Sequence, residues 1–122
     1  MTKQSHHLSK IDLRKTAQKW QKKLNVKANR IQIRKLTNKW GSHSSKGNIT
    51  LSSKLTELPM ELVDYTILHE LLHLAEPNHG KAFKASLSAY MPNWQELNSK
   101  LVRFSEENEG EIVEVYDPSR EE

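Results

Sequence analysis

Cysteine is absent from this 122-residue chain. That excludes disulfide staples, thiolate metal sites, CxxC redox chemistry and a cysteine nucleophile. Any metal must therefore rest on His, Asp or Glu. Long hydrophobic runs are missing too, since nothing approaches the roughly 20 consecutive apolar residues of a membrane span. The polar start MTKQSHHLSK lacks the apolar core of a secretion signal, so a cytoplasmic location is expected. Apolar residues make up 35% and charged ones 28%, a polar composition that still supports one modest core.

Acidic residues are nearly missing from the first half. Residues 1–56 hold fourteen Lys/Arg against the single acid Asp12, whereas residues 57–122 hold five against fourteen. The overall charge of +4 conceals this division. A basic half can signal a polyanionic partner such as nucleic acid, or it can simply be neutralised by the acidic half within the fold.

Periodicity supplies the elements. Ser9 and Asp12 fit a capping box, and Leu13, Ala17, Trp20 and Leu24 then recur at helical spacing, which predicts an amphipathic helix over residues 10–25. From Arg30 the period becomes two, with Ile31 and Ile33 alternating with Gln32 and Arg34. After the turn-rich stretch WGSHSSKGN comes a second apolar pair, Ile49 and Leu51. A short antiparallel sheet of two or three strands is expected. Pro59 suits a first helical turn, and PMELVDYTILHELLHLA is apolar on nearly every side, as a helix at the centre of a domain would be. Pro77 stops it just after His73. Two further helices follow, one carrying Phe83, Leu87 and Tyr90 up to Pro92, the other placing Trp94, Leu97, Leu101 and Phe104 inward.

Inside the buried helix lies His69-Glu70-Leu71-Leu72-His73, an HExxH sequence. Residues four apart share a helix face, so both imidazoles can reach one ion while Glu70 lies beside its water. Burying two histidines and a glutamate costs several kcal/mol unless they find partners, and a divalent cation serves all three. Catalytic zinc takes three protein ligands and leaves a position for water. His79 is the leading third ligand, six residues beyond His73 and past the break at Pro77. Glu96, on the last helix, is the alternative.

The elements WGSHSSKGNI from Trp40, Asp64-Tyr65, HELLHL, PNHGKAF from Pro77, and Met91-Pro92 together resemble the YgjP-like metallopeptidase family, whose active-site helix is similar to that of SprT-like proteases. The resemblance runs from about Arg30 to Phe104. It implies a small α+β zincin-like fold, and the shift to acidic composition sets the expected bounds, a domain over residues 1–104 and an acidic tail over 105–122. It also implies zinc on His69, His73 and His79, with Glu70 as the catalytic residue. The chain departs from the family in two places, having His43 where a cysteine is usual after WGS and Lys84 where a tryptophan is usual after the phenylalanine.

These readings make the chain a zinc-dependent peptidase with Glu70 as general base. Two alternatives stand beside it: hydrolysis of a phosphate-containing small molecule held by the basic half, and a nucleic-acid-associated module with a structural metal. His43, Tyr65 and Tyr90 are candidates for an oxyanion or substrate contact. Asp64 and Asn78 are candidates for fixing the ligand imidazoles. Trp40 is expected in the core, over the site. A peptide is expected along the strand at residues 49–51. Ile112 to Tyr116 alternate like a strand, and the tail could compete for that edge.

Overall fold

The computed structural model describes residues 8–37 and 39–107. His6, His7 and the strand-like stretch from Ile112 to Tyr116 fall outside the described residues. The chain is a small α+β fold. Helix α1 (Lys10–Leu24) leads to β1 (Arg30–Arg34), β2 (Gly41–His43) and β3 (Asn48–Ser52). A 3₁₀ turn (Ser53–Glu57) then precedes α2 (Met60–Leu72), α3 (Lys81–Tyr90) and α4 (Trp94–Glu107).

Each boundary has a local cause. At the start of α1 the Ser9 hydroxyl accepts the Asp12 N–H at 3.2 Å, and the Asp12 carboxylate accepts the Ser9 N–H at 2.9 Å, so two otherwise unpaired helix donors are satisfied reciprocally. Asn25 ends the helix in the left-handed conformation (φ 57°). Between β2 and β3 the chain reverses through Gly47, whose φ of 84° suits a residue without Cβ. The Gly47 N–H donates to Ser44 O, and the Ser44 N–H donates to Asn48 O.

The sheet order is β1-β3-β2. β2 and β3 form an antiparallel hairpin with Gly41 opposite Leu51 and His43 opposite Ile49. β1 runs parallel to β3, with Ile31 beside Ile49 and Ile33 beside Leu51. The sheet is therefore mixed, where alternation alone suggested an antiparallel one. Alternation reports which face of a strand is buried and carries no direction. The chain reverses twice between the two longer strands, once into the short β2 and once out of it, which leaves β1 and β3 pointing the same way. β3 is consequently the central strand and has no open edge, correcting the expectation that a peptide would add along residues 49–51.

Helix α2 occupies the middle of the molecule. Every residue from Tyr65 to Leu72 is buried, because α1, α3, α4 and the sheet pack around it. Trp20 of α1 donates its indole N–H to Asp64 Oδ1 at 2.8 Å, and Lys19 approaches the same oxygen at 3.1 Å. From the other side Trp94, Leu97 and Leu101 of α4 enter the core, with Phe104 partly buried. The Trp40 indole donates to Ser105 Oγ at 2.9 Å, tying the approach to β2 to the end of α4. Ser105, the first residue assigned to the tail by composition, is thus buried within a helix that continues to Glu107. No helix among the described residues is long and apolar enough to cross a membrane.

The Asp64 contacts generate a prediction. Asp64→Ala, which removes the acceptor of the Trp20 indole, should lower unfolding free energy by about 1–3 kcal/mol in urea titrations. Metal affinity should stay at the wild-type value, because Asp64 faces α1.

Candidate active site

His69 and His73 lie one turn apart at the end of α2, each only 6% exposed. His73 caps the helix, and the chain then tightens through Leu74 to Glu76, whose N–H donates back to Leu72 O. Pro77 forbids further helix. The reversal brings His79 over the two helical imidazoles just before Gly80 opens α3. His79 Nε2 stands 3.2 Å from His69 Nε2 and 3.0 Å from His73 Nε2. Beneath them Phe83, fully buried, touches all three rings, with centroid distances of 5.3, 4.7 and 4.9 Å to His69, His73 and His79.

This donor set fits a divalent cation. His73 Nδ1 lies 3.1 Å from the carbonyl oxygens of both Glu76 and Pro77, which can only accept, so Nδ1 carries the proton and Nε2 presents a lone pair. His79 Nε2 faces this nitrogen and His69 Nε2 together, and one ring nitrogen carries at most one proton to share between them. A single cation among the three serves every lone pair, and ligand nitrogens on a tetrahedral zinc stand roughly 3.3 Å apart, close to the spacing here. Among the described residues these three form the metal-competent cluster. The electrostatics agree. Burial first, then the neighbouring His73, His79 and His43, hold His69 well below the usual imidazole pKa of 6.5. Burial, then His43 and His79, lower His73 to about 4, against a smaller upward pull from its two carbonyl bonds. Both are therefore neutral and able to ligate at pH 7.

Glu70 is 5% exposed and is met by β2. His43 Nδ1 lies 3.1 Å from Glu70 Oε1, and the His43 ring stacks on His73 at 4.0 Å with 15° between planes. Beside it Gly41 lets the Glu70 side chain approach so closely that a Cβ at position 41 would stand 2.9 Å from Glu70 Cγ. A cavity of about 350 Å³ opens next to these groups, lined by His43, Ser44, Ser45, Gly47, His73, Leu74 and Pro77.

Other candidates lie elsewhere. Glu96 is exposed on α4 and pairs with Lys100 at 3.5 Å, so it is no alternative to His79. Asp64 serves Trp20 and Lys19 on the far side of α2. Asn78 is exposed, and the backbone carbonyls just before it orient His73 in its place. Tyr65 packs edge-on against His69 but is fully buried and donates its hydroxyl to Asn98 Oδ1 at 2.8 Å, which corrects its assignment as an oxyanion or substrate contact. Tyr90 reaches Lys23 O and packs on Trp20, away from the histidines. Trp40 is buried as expected, though its indole serves Ser105. Sequence reasoning missed the roles of Gly41 and Asn98, and it read Phe83 only as part of an apolar stripe. The signal for Phe83 was its place four residues after His79, on the first turn of the next helix.

A carboxylate beside three converging imidazoles, on a small α+β scaffold, defines the class as metal-dependent hydrolases. The model of the YgjP-like metallopeptidase domain matches residues 3–104, and the chain belongs to that family. The family implies a divalent metal. Solved structures that share the fold include two metallopeptidase zymogens. The metallopeptidase zymogen jannalysin of Methanocaldococcus jannaschii is 28% identical, with a TM-score of 0.68 over 75% of this chain and 95% of that one. The metallopeptidase zymogen abylysin of Pyrococcus abyssi is 22% identical, with a TM-score of 0.67 over 75% and 92%. No curated protein matches.

Two predictions follow from the cluster. His79→Ala should lose most of its bound metal, read by metal analysis after dialysis. The metal-free protein should also be acid-sensitive: His73 has a folded pKa of about 4 against 6.5 unfolded, so the unfolded chain takes up the proton first. Stability is then full above pH 6.5 and declines as the pH falls towards 4, which urea titrations across that range would reveal.

Proposed function

We propose that this metallopeptidase is a zinc enzyme that hydrolyses peptide bonds with Glu70 as general base. The observation that carries the reading is the convergence of three imidazoles, His79 Nε2 standing 3.2 and 3.0 Å from Nε2 of His69 and His73, with a buried carboxylate, Glu70, on the same helix as the latter two. His69, His73 and His79 would hold the ion. Bound there, zinc would polarise the scissile carbonyl and activate a water molecule near neutral pH.

Glu70 takes a proton from the attacking water and delivers it to the leaving amine, so no side chain is acylated. Phe83 closes the inner side of the imidazoles and keeps water from competing there. The peptide adds to β2, an edge strand of the sheet that packs on α2 and ends at His43 beside the histidines. The residues lining the adjoining cavity include no lysine or arginine, which favours a peptide over a phosphate-bearing substrate. Neither the family nor the fold neighbours support nucleic-acid association.

Glu70→Gln should lower kcat by about 10²–10⁴-fold while keeping one metal per chain. Chelation should abolish turnover, and added zinc should restore it. With the zinc-loaded protein, unstructured peptides should be cleaved and nucleotides left intact. Cleavage of nucleotides alone would overturn the assignment.

A further inference from the structure

We infer that β2 is a cradle for the Glu70 carboxylate, in which His43 is a positioning residue and Gly41 supplies the space. This rests on the reading of Glu70 as general base and goes beyond it, because it assigns a purpose to two residues that touch neither the scissile bond nor the three Nε2 atoms' common centre. Residues two apart on a strand share a face. Gly41 and His43 therefore both point at α2, where they meet the same side chain. Gly41 meets it by subtraction: with any Cβ there, an atom would stand 2.9 Å from Glu70 Cγ and 3.4 Å from both Cδ and Oε2, and the carboxylate would have to shift. His43 meets it by a directed bond, Nδ1 to Oε1 at 3.1 Å. An ionised carboxylate only accepts, so Nδ1–H donates.

The ring of His43, its side chain 33% exposed, is held on its inner side. It lies flat on His73 at 4.0 Å, and its strand is pinned opposite Ile49 in the hairpin. A glutamate has three side-chain torsions, and a base that works by proton transfer must present an oxygen within hydrogen-bond reach of the water it activates. Holding one carboxylate oxygen on an edge strand fixes where the other can lie. The same strand is the one proposed to receive the peptide, so substrate backbone and base are registered to one element.

Kinetics separate this role from simple packing. His43→Ala should lower kcat by about 10–100-fold with KM within about twofold of wild type. His43→Asn should recover most of the loss, because its amide nitrogen lies the same number of bonds from Cα as Nδ1. His43→Gln, which reaches as far as Nε2, should not. Gly41→Ala should reproduce the His43→Ala phenotype. All four should retain wild-type metal content.

A readout independent of turnover is the long-range ¹H–¹⁵N spectrum of the metal-free protein. His43 should be the Nδ1–H tautomer in wild type and lose that preference in Glu70→Ala. Unchanged His43 nitrogen shifts in Glu70→Ala, equal behaviour of the Asn and Gln variants, or metal loss in His43→Ala would each overturn the inference. Full activity of His43→Ala beside an inactive Glu70→Gln overturns it while leaving the general-base reading intact. An active Glu70→Gln overturns the general-base reading itself.

Discussion

Three imidazoles gathered at the end of a helix that is otherwise core, with His79 Nε2 3.2 and 3.0 Å from Nε2 of His69 and His73, set the terms for the rest of this molecule. Neutral polar groups are costly to bury without partners, and charged ones far more so. The described structure meets that cost by keeping His69 and His73 uncharged. Burial first, and then neighbouring imidazoles including His43 and His79, push protons off. What remains is a set of lone pairs that a cation satisfies together.

The surroundings follow from that requirement. α2 is enclosed by α1, α3, α4 and the sheet, so its polar end has no rigid wall but the one the fold itself provides. Pro77 turns the chain back, and the same turn supplies the two carbonyls that hold His73 in one tautomer. Phe83 seals the inner face. On the outer side β2 brings a glycine and a histidine to Glu70, and the loop beyond them opens into a cavity large enough for a side chain. The three imidazoles, the Glu70 carboxylate and the cavity beside them thus come from two stretches of chain, the β2 hairpin and the run from the end of α2 into α3, gathered around one helix end.

Much of this was legible in the chain. The capping box at Ser9, the apolar character of residues 60–72, the break at Pro77 and the i, i+4 histidines are local signals, and each appears where its local chemistry puts it. What could not be read was anything decided by pairing across the fold. Strand alternation could not show that β1 runs parallel to β3, nor that β3 would be the central strand. Asp64 lies one turn and a residue before His69 in sequence, yet its side chain faces α1, because helical neighbours share a face only at spacings of three and four. Tyr65, at the correct spacing, does meet His69, but Asn98 from α4 takes its hydroxyl. His43 was singled out as an oxyanion or substrate contact, but nothing in the sequence tied it to Glu70. Its contact with Glu70 arises because a strand 27 residues earlier packs against α2.

The central claim concerns where one ion sits. Anomalous diffraction at the zinc edge from crystals of the protein loaded with one equivalent of zinc tests it most directly. The account predicts a single strong peak bounded by Nε2 of His69, His73 and His79, with Glu70 beside it and outside bonding distance. A peak ligated by Glu96, or one lying away from these three nitrogens, would contradict it.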